Sequence, residues 1–186
     1  MAETKLQDYT VQEKLNKMDA DIITVRGLLY DSGYADGDIM MLPIEIPNCV
    51  SVNGGTALLH SVTTVASNVA LANEVASGDG TNAQGPMTLI FQSKGDMPDD
   101  NSTEELSDPV SSITNFARAD AESVCGIIQM TSPFDVGQVC IQQKINCGLM
   151  LQAEPNSKSL WVWAMANNND NYTGATLSIR VGVIKD

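Results

Sequence analysis

The sequence predicts a mainly β fold: an antiparallel β-sandwich or jelly-roll-like domain with a short N-terminal helix or arm and one short internal helix. Three observations lead to this prediction. Short apolar and β-branched runs recur along the chain, and clusters of Gly, Asn, Asp and Ser separate them. In 177–183 apolar residues alternate with polar or small ones, which is typical of an antiparallel strand with one solvated face.

The first 20 residues differ from the rest of the chain. Thr10 is a candidate N-cap, and Glu13 follows at the spacing of a capping box. Three apolar residues then recur on one face of a short helix: Val11, Leu15 and Met18. A helix of this length is unstable alone in water, so we expect these three side chains to contact a partner or the body of the protein. The predicted division is an arm or docking helix over 1–20 and a β-sandwich domain over 21–186.

The strands follow one another from residue 22 to the end of the chain. The eight predicted strands cover 22–30, 39–46, 57–66, 87–92, 123–131, 137–145, 159–166 and 176–184. In 160–165 both alternating faces are apolar, which predicts a strand that is covered on both sides. A short helix is predicted over 109–117, where Asp108 is a suitable N-cap and Pro109 a suitable first helical residue. The length of 186 residues suits one domain with a sizeable core.

The charge of the chain excludes several kinds of partner. There are 23 acidic and 10 basic residues, which gives a net charge of −13, and no basic residue lies between Arg26 and Lys94. Nucleic acid and anionic membrane surfaces both require clustered Lys and Arg, so neither is expected to bind. The apolar runs are too short to span a bilayer, and no basic segment followed by an apolar one opens the sequence, so we expect no secretory signal. Only 18% of the residues are charged, which predicts a surface that other chains cover.

The residue types that perform catalysis or bind metals are sparse. His60 is the only histidine, its neighbour Ser61 points to the opposite face of a strand, and no G-x-S-x-G motif occurs. The four cysteines show no C-x-x-C spacing, and we expect them to be reduced, buried thiols. The acidic loop over 96–100 lacks the ligand spacing of a calcium loop and is expected to be solvated. The sequence therefore predicts no enzyme, no cofactor and no metal site.

Three aromatic residues lie close together near the C-terminus: Trp161, Trp163 and Tyr172. Their ring faces could form a platform for a sugar, although a tryptophan in a central strand is more often part of the core. Both interpretations remain open at the level of the sequence.

The order of short sequence blocks along 33–186 resembles that of small tailed-bacteriophage virion structural proteins of the capsid decoration or cement type. The blocks are Tyr34–Asp38, Gly54–Val62, Met87–Phe91, Pro98–Ser102, Leu106–Asp108, Lys158–Trp163, Leu177–Val183 and Asp186. This resemblance implies a non-enzymatic module that binds the outside of an assembled head and stabilises it. The implied partners are the major capsid protein and further copies of the chain in a homotrimer. The implied location is the outer surface of the virion, after synthesis in the host cytoplasm.

Two functions from other classes compete with this expectation. A receptor- or carbohydrate-binding module of a virion fibre or tail would use Trp161, Trp163 and Tyr172 as its ligand platform. A metal-dependent enzyme would need a divalent ion on Asp96, Asp99 and Asp100, and the lack of a histidine cluster makes it the weakest of the three.

Overall fold

Strands form all of the regular secondary structure in the described part of the chain. The computed structural model describes residues 19–29, 33–34, 36–68, 86–95, 122–131, 134–136, 139–167, 170–171 and 175–185. Its strands are β1 (Asp19–Leu28), β2 (Gly33–Tyr34), β3 (Ile39–Ile46), β4 (Thr56–Asn68), β5 (Met87–Gln92), β6 (Val124–Met130), β7 (Phe134–Val136), β8 (Val139–Gln152), β9 (Leu160–Ala166), β10 (Asp170–Asn171) and β11 (Ala175–Lys185). The predicted helix over 109–117 and nearly all of the predicted arm lie outside these residues. β1 begins at Asp19, inside the last two residues of that arm.

The strands form two main antiparallel sheets. One has five strands in the order β1-β11-β4-β8-β7, the other has four in the order β3-β9-β5-β6, and β2 pairs with β10 in a small third sheet. The long strands pair in a nested way: β1 with β11, β3 with β9, β4 with β8, and β5 with β6. A chain that folds back on itself in this nested order and wraps into two sheets is a jelly roll. The predicted fold class is confirmed.

The hydrophobic core lies between the inner faces of the two sheets. In β11 every second residue from Leu177 to Val183 is at most 1% exposed. The four-stranded sheet contributes Phe91 and Val162, which are fully buried in the same cluster. Burial of one face of each sheet against the other is the main stabilising term of such a sandwich.

A large β-bulge interrupts the middle of the five-stranded sheet. His60 has no partner residue in β11, and in β8 it lies opposite three residues, 146–148. Asn146 and Gly148 have φ angles of 56° and 65°, in the left-handed region. At the bulge the buried residues of β4 change from odd to even numbers, so that both halves of the strand keep their apolar side on the core.

The turn between β3 and β4 packs against the loop between β8 and β9. The Gly54 amide donates to the Ser157 carbonyl at 2.9 Å, and the Ala153 amide donates to the Gly55 carbonyl at 3.1 Å. Gly54 has a φ of 70°, and a Cβ atom at this position would lie 3.0 Å from Cα of Pro155. The turn therefore requires glycine for two reasons, a left-handed backbone and a close approach of the neighbouring loop.

Substitution of Gly54 with alanine should separate these two reasons. Gly148 is the matched control, because its φ of 65° is similar and a Cβ atom added there would have its nearest neighbour 4.0 Å away. Gly148→Ala should lower the free energy of unfolding by about 1–2 kcal/mol, from the strain of a left-handed backbone alone. Gly54→Ala should lower the free energy of unfolding by about 1–3 kcal/mol more than Gly148→Ala does, since the backbone of Pro155 cannot move away without disturbing its own loop. Urea unfolding measures both values, and equal losses would contradict the close approach.

Candidate interaction surfaces

Trp163 is part of a second, smaller core on the outer side of the four-stranded sheet. It packs with Ile39 and Ile90, and its relative exposure is 0%. Its indole Nε1 donates to Gln92 Oε1 at 3.0 Å, and Gln92 Nε2 donates to Ser123 Oγ at 3.3 Å. An indole without exposed surface has no face to offer a sugar ring. The structure therefore takes Trp163 out of the predicted platform and makes it a core residue with a satisfied hydrogen bond.

Trp161 lies two residues before Trp163, on the same side of β9, and is half-buried. The backbone of Gly95 lies against its ring, since a Cβ on Gly95 would come within 2.8 Å of three indole atoms. One face of this indole is therefore already covered by the chain itself. Tyr172 lies outside the described residues, so a platform of Trp161 and Tyr172 stays a prediction.

The other candidate sites from the sequence are described only in part. The predicted contact residues of the arm, Val11, Leu15 and Met18, lie outside the described residues, as does the acidic loop over 96–100. His60 is exposed at the bulge. Among the described side chains, no group of three or more His, Cys, Asp or Glu is arranged to hold a metal ion. No helix in the described ranges has the length and apolar character that a membrane span requires.

All four cysteines are free thiols. Cys49 and Cys140 are buried, and Cys125 and Cys147 are half-buried. Burial raises the pKa of the Cys49 thiol to about 12, and it raises the pKa of Cys125 and Cys147 as well. The Cys125 thiol also donates to the carbonyl oxygen of Gln152 at 3.4 Å. Protonated thiols are poor nucleophiles, so Cys49, Cys125 and Cys147 act as small apolar side chains.

An open cleft of about 460 Å³ lies where β6 meets the end of β8. Lys94, Glu122, Glu154 and Met150 are among the residues that line it. Lys94 Nζ is 3.8 Å from Glu154 Oε1, and both side chains are substantially exposed. An exposed ion pair of this kind contributes little stability.

The outward side of the five-stranded sheet is a candidate interaction surface of the described structure, and we call it the five-strand face. It comprises the side chains that alternate with the core residues of the sheet. They are Ile22, Thr24, Arg26, Leu28, Thr56, Leu58, Ser61, Thr63, Val65, Phe134, Val139, Ile141, Gln143, Ile145, Met150, Gln152, Thr176, Ser178, Arg180, Gly182 and Ile184.

The five-strand face exposes an unusual amount of apolar surface. Five large apolar side chains on it are between 61% and 78% exposed: Ile22, Leu28, Phe134, Ile145 and Met150. Ile22 and Ile145 end one row across four strands, in which Gly182 and Ser61 lie between them. Only Gly182 and Ser61 separate the two isoleucines, so no large side chain stands between them. An exposed apolar patch of this extent is typical of a surface that another molecule covers.

The charge on the five-strand face is opposite to that of the whole chain. Its charged residues are Arg26 and Arg180, which are diagonal neighbours because Arg26 pairs with Ser178 and Arg180 with Thr24. Neither arginine forms an ion pair with a described residue. The acidic residues with described side chains all lie elsewhere: Asp21, Asp36, Asp38, Glu45, Glu122 and Glu154. A chain with a net charge of −13 thus has one large face that is apolar and positively charged.

Comparisons with known proteins add little to this geometry. No family model matches the sequence, and no curated protein matches it. Several solved structures of viruses are similar over most of the chain, but the similarity is weak.

A structure of Desmodium yellow mottle tymovirus aligns over 90% of this chain and 88% of its own, with 10% identity and a TM-score of 0.26. A full particle of Israeli acute paralysis virus, heated to 63 degrees, aligns over 99% and 78%, with 9% identity and a TM-score of 0.29. A single-particle structure of maize chlorotic mottle virus aligns over 88% and 92%, with 10% identity and a TM-score of 0.27. TM-scores this low carry no argument about the fold or function of this chain.

The sequence contained part of the signal for the five-strand face. The alternation in 177–183 already placed Ser178 and Arg180 on the side away from the core. It did not reveal that β1 and β4 are the neighbours of β11 in the sheet. For the same reason it did not show that Arg26 lies beside Arg180. Sequence reasoning missed the surface because a face of a sheet is assembled from strands that are distant in the chain.

Single-tryptophan variants should distinguish the two indoles. Trp161→Phe leaves Trp163, whose buried ring should be quenched weakly by acrylamide and should not respond to added glycans. Trp163→Phe leaves Trp161, which is half-buried and should be quenched more strongly. Steady-state fluorescence with an acrylamide titration measures both. A Trp163 emission that shifts on addition of a glycan would contradict its placement in the core.

Alkylation should report the state of the thiols. The pKa of Cys49 rises from its ordinary value of 9.0 to about 12, so its thiolate fraction at pH 8 falls by a factor of about 1,000. Iodoacetamide at pH 8 should therefore leave Cys49 unmodified in the folded protein and modify it rapidly in urea, as mass spectrometry of peptides can show. Equal rates in the two conditions would mean that Cys49 is accessible in the fold.

Proposed function

We propose that the protein is a non-enzymatic structural protein of a virion: a capsid decoration or cement protein that binds the outside of the assembled head and stabilises it. The observation that carries this proposal is the five-strand face, because it gives the chain a surface that another protein chain of the virion, the shell subunit or a further copy, can cover. A broad sheet surface with large exposed apolar side chains and no described acidic side chain is suited to burial against protein. The low charged fraction of 18% reduces the desolvation penalty of covering the molecule from several sides.

The fold is compatible with this role without selecting it. Jelly rolls occur in capsid proteins, and they also occur in lectins and in enzymes of the cupin type, so the function has to come from the surface. The order of sequence blocks, which resembles that of phage decoration proteins, favours the virion. The major capsid protein would be the partner on the head, and further copies of the chain would complete a homotrimer.

Stabilisation of the head would follow from mass action. A protein that binds only the assembled shell lowers the free energy of the shell relative to its free subunits. At a free concentration 100 times the dissociation constant, each occupied site contributes about 2.7 kcal/mol. Many sites on one shell add their contributions, so modest affinity for each site is sufficient.

The competing function, a receptor- or carbohydrate-binding module, has less support. It relied on three aromatic side chains, of which Trp163 is fully buried and Trp161 is covered on one side by Gly95. A sugar platform needs open ring faces, and the described residues offer only part of one.

Co-sedimentation with assembled heads tests the proposal. The wild-type protein should pellet with heads in a fixed copy number relative to the shell subunit, and it should raise the temperature at which the heads disrupt. A variant that lacks residues 1–18 should bind more weakly if the arm docks through Val11, Leu15 and Met18. The deletion stops at residue 18 because Asp19 pairs with Lys185 and begins β1.

Circular dichroism provides the control for folding, since the shortened protein should keep the β spectrum of the wild type. Substitution of Val11, Leu15 and Met18 with aspartate in the full-length chain is the matched test of the contact itself. Wild-type protein that stays in the supernatant at every ratio to heads would refute the decoration role. Undiminished binding of the shortened protein would refute only the role of the arm.

A further inference from the structure

We propose that the five-strand face docks on an acidic side of a second copy of the chain, so that copies associate head-to-tail into a closed ring. This inference rests on the self-association that the proposed function includes, and it assigns the surface and the mode of that contact. It follows from the charge and the extent of the five-strand face and from the symmetry that a contact through this face can have.

The charge of the face selects an acidic partner surface. Arg26 and Arg180 are exposed diagonal neighbours, and neither has an ion-pair partner among the described residues. The diagonal spacing on an antiparallel sheet is about 7–8 Å, so each guanidinium can receive its own carboxylate. A second copy supplies such a surface, because the chain has 23 acidic residues and none of those with described side chains lies on the five-strand face.

The extent of the face suits a specific protein contact. Four strands of about ten residues each, at a spacing of about 4.8 Å and a rise of about 3.4 Å per residue, give a plane on the order of 650 Å², to which the short β7 adds a little. A stable interface of standard size buries about 800 Å² of accessible surface on each partner, and side chains make the accessible surface larger than the plane. The row that contains Arg180 has a row with Ile22 and Ile145 on one side. On its other side lies a row that begins at Arg26 and continues through Val65 and Ile141 to Phe134. Apolar contacts from these two rows would exclude water from the charged pair at Arg180.

The symmetry of the contact follows from the two arginines. In a two-fold contact of the face with itself, Arg26 and Arg180 of both copies would be buried in a surface that has no described carboxylate to pair with them, and unpaired buried charges are unfavourable. A contact between the face and a different, acidic side of the next copy supplies the missing carboxylates. Such a heterologous contact gives a closed ring when the rotation between copies closes, and three is the number that the resemblance to decoration proteins implies.

Sedimentation velocity of the purified full-length protein tests the inference without any head present. The wild type should form a discrete particle of at least three copies, which dissociates as salt is raised because the charged pairs are screened. Arg26→Glu combined with Arg180→Glu should raise the dissociation constant at least about tenfold. Lys94→Glu combined with Lys158→Glu is the matched control, since it makes the same change in net charge at exposed positions off the face and should leave association unchanged.

Circular dichroism shows whether the Arg26→Glu and Arg180→Glu variant is folded. If it is not, Arg26→Gln with Arg180→Gln removes both charges without introducing new ones and should still weaken association. A wild type that stays monomeric, that stops at a dimer or that polymerises without limit would overturn the ring. The ring would also be overturned if Arg26→Glu with Arg180→Glu and Lys94→Glu with Lys158→Glu weakened the association of copies equally. Head binding is measured separately, so protein that binds heads as a monomer overturns this inference and leaves the proposed function in place.

Discussion

The position of the last strand determines most of the architecture. β11 lies between β1 and β4, so the end of the chain joins its beginning to its middle through two antiparallel ladders. Its alternate residues from Leu177 to Val183 are buried against the other sheet. Because side chains alternate strictly along a strand, burial of this one face fixes which residues of β1, β4 and β8 point inward through the register of the ladders. The same register fixes which residues point outward.

The bulge at His60 shows how strictly this constraint applies. β4 and β8 are long strands, of 13 and 14 residues, and a regular strand of that length drifts with the twist of the sheet. One extra residue in β4 and a three-residue excursion in β8 bend the sheet and return the apolar side to the core. The left-handed conformations of Asn146 and Gly148 fit this excursion, since asparagine and glycine adopt them most easily. The outward row from Ile22 to Ile145 passes directly beside the bulge, so the same bend shapes the five-strand face.

Local pattern predicted most of the strands, and its failures have a common cause. The predicted strands over 39–46 and 87–92 match β3 and β5 at both ends, because apolar runs and turn residues bound them. β8 was predicted to end at residue 145, whereas it continues to Gln152 beyond the bulge, where the alternation changes phase. The two apolar faces of the predicted strand over 160–165 favoured a buried Trp163 but did not exclude a place in the ligand platform, and the structure buries it. The five-strand face could not be predicted in this way, since it depends on the order of strands in the sheet and on no local pattern.

The edges of the sheets explain why association through a face is favoured over association through an edge. Exposed strand edges are the usual route by which β-proteins join, and two of the four edge strands here, β3 and β7, have features that disfavour it. β3 contains Pro43 and two register irregularities, which remove a donor and disturb the ladder. β7 has only three residues. β1 packs against β3 of the other sheet, since any side chain on Gly27 would overlap Met41 and Ile44. Because β3 and β7 disfavour pairing at their edges, the outer surface of the five-stranded sheet is the main place where another chain can bury area.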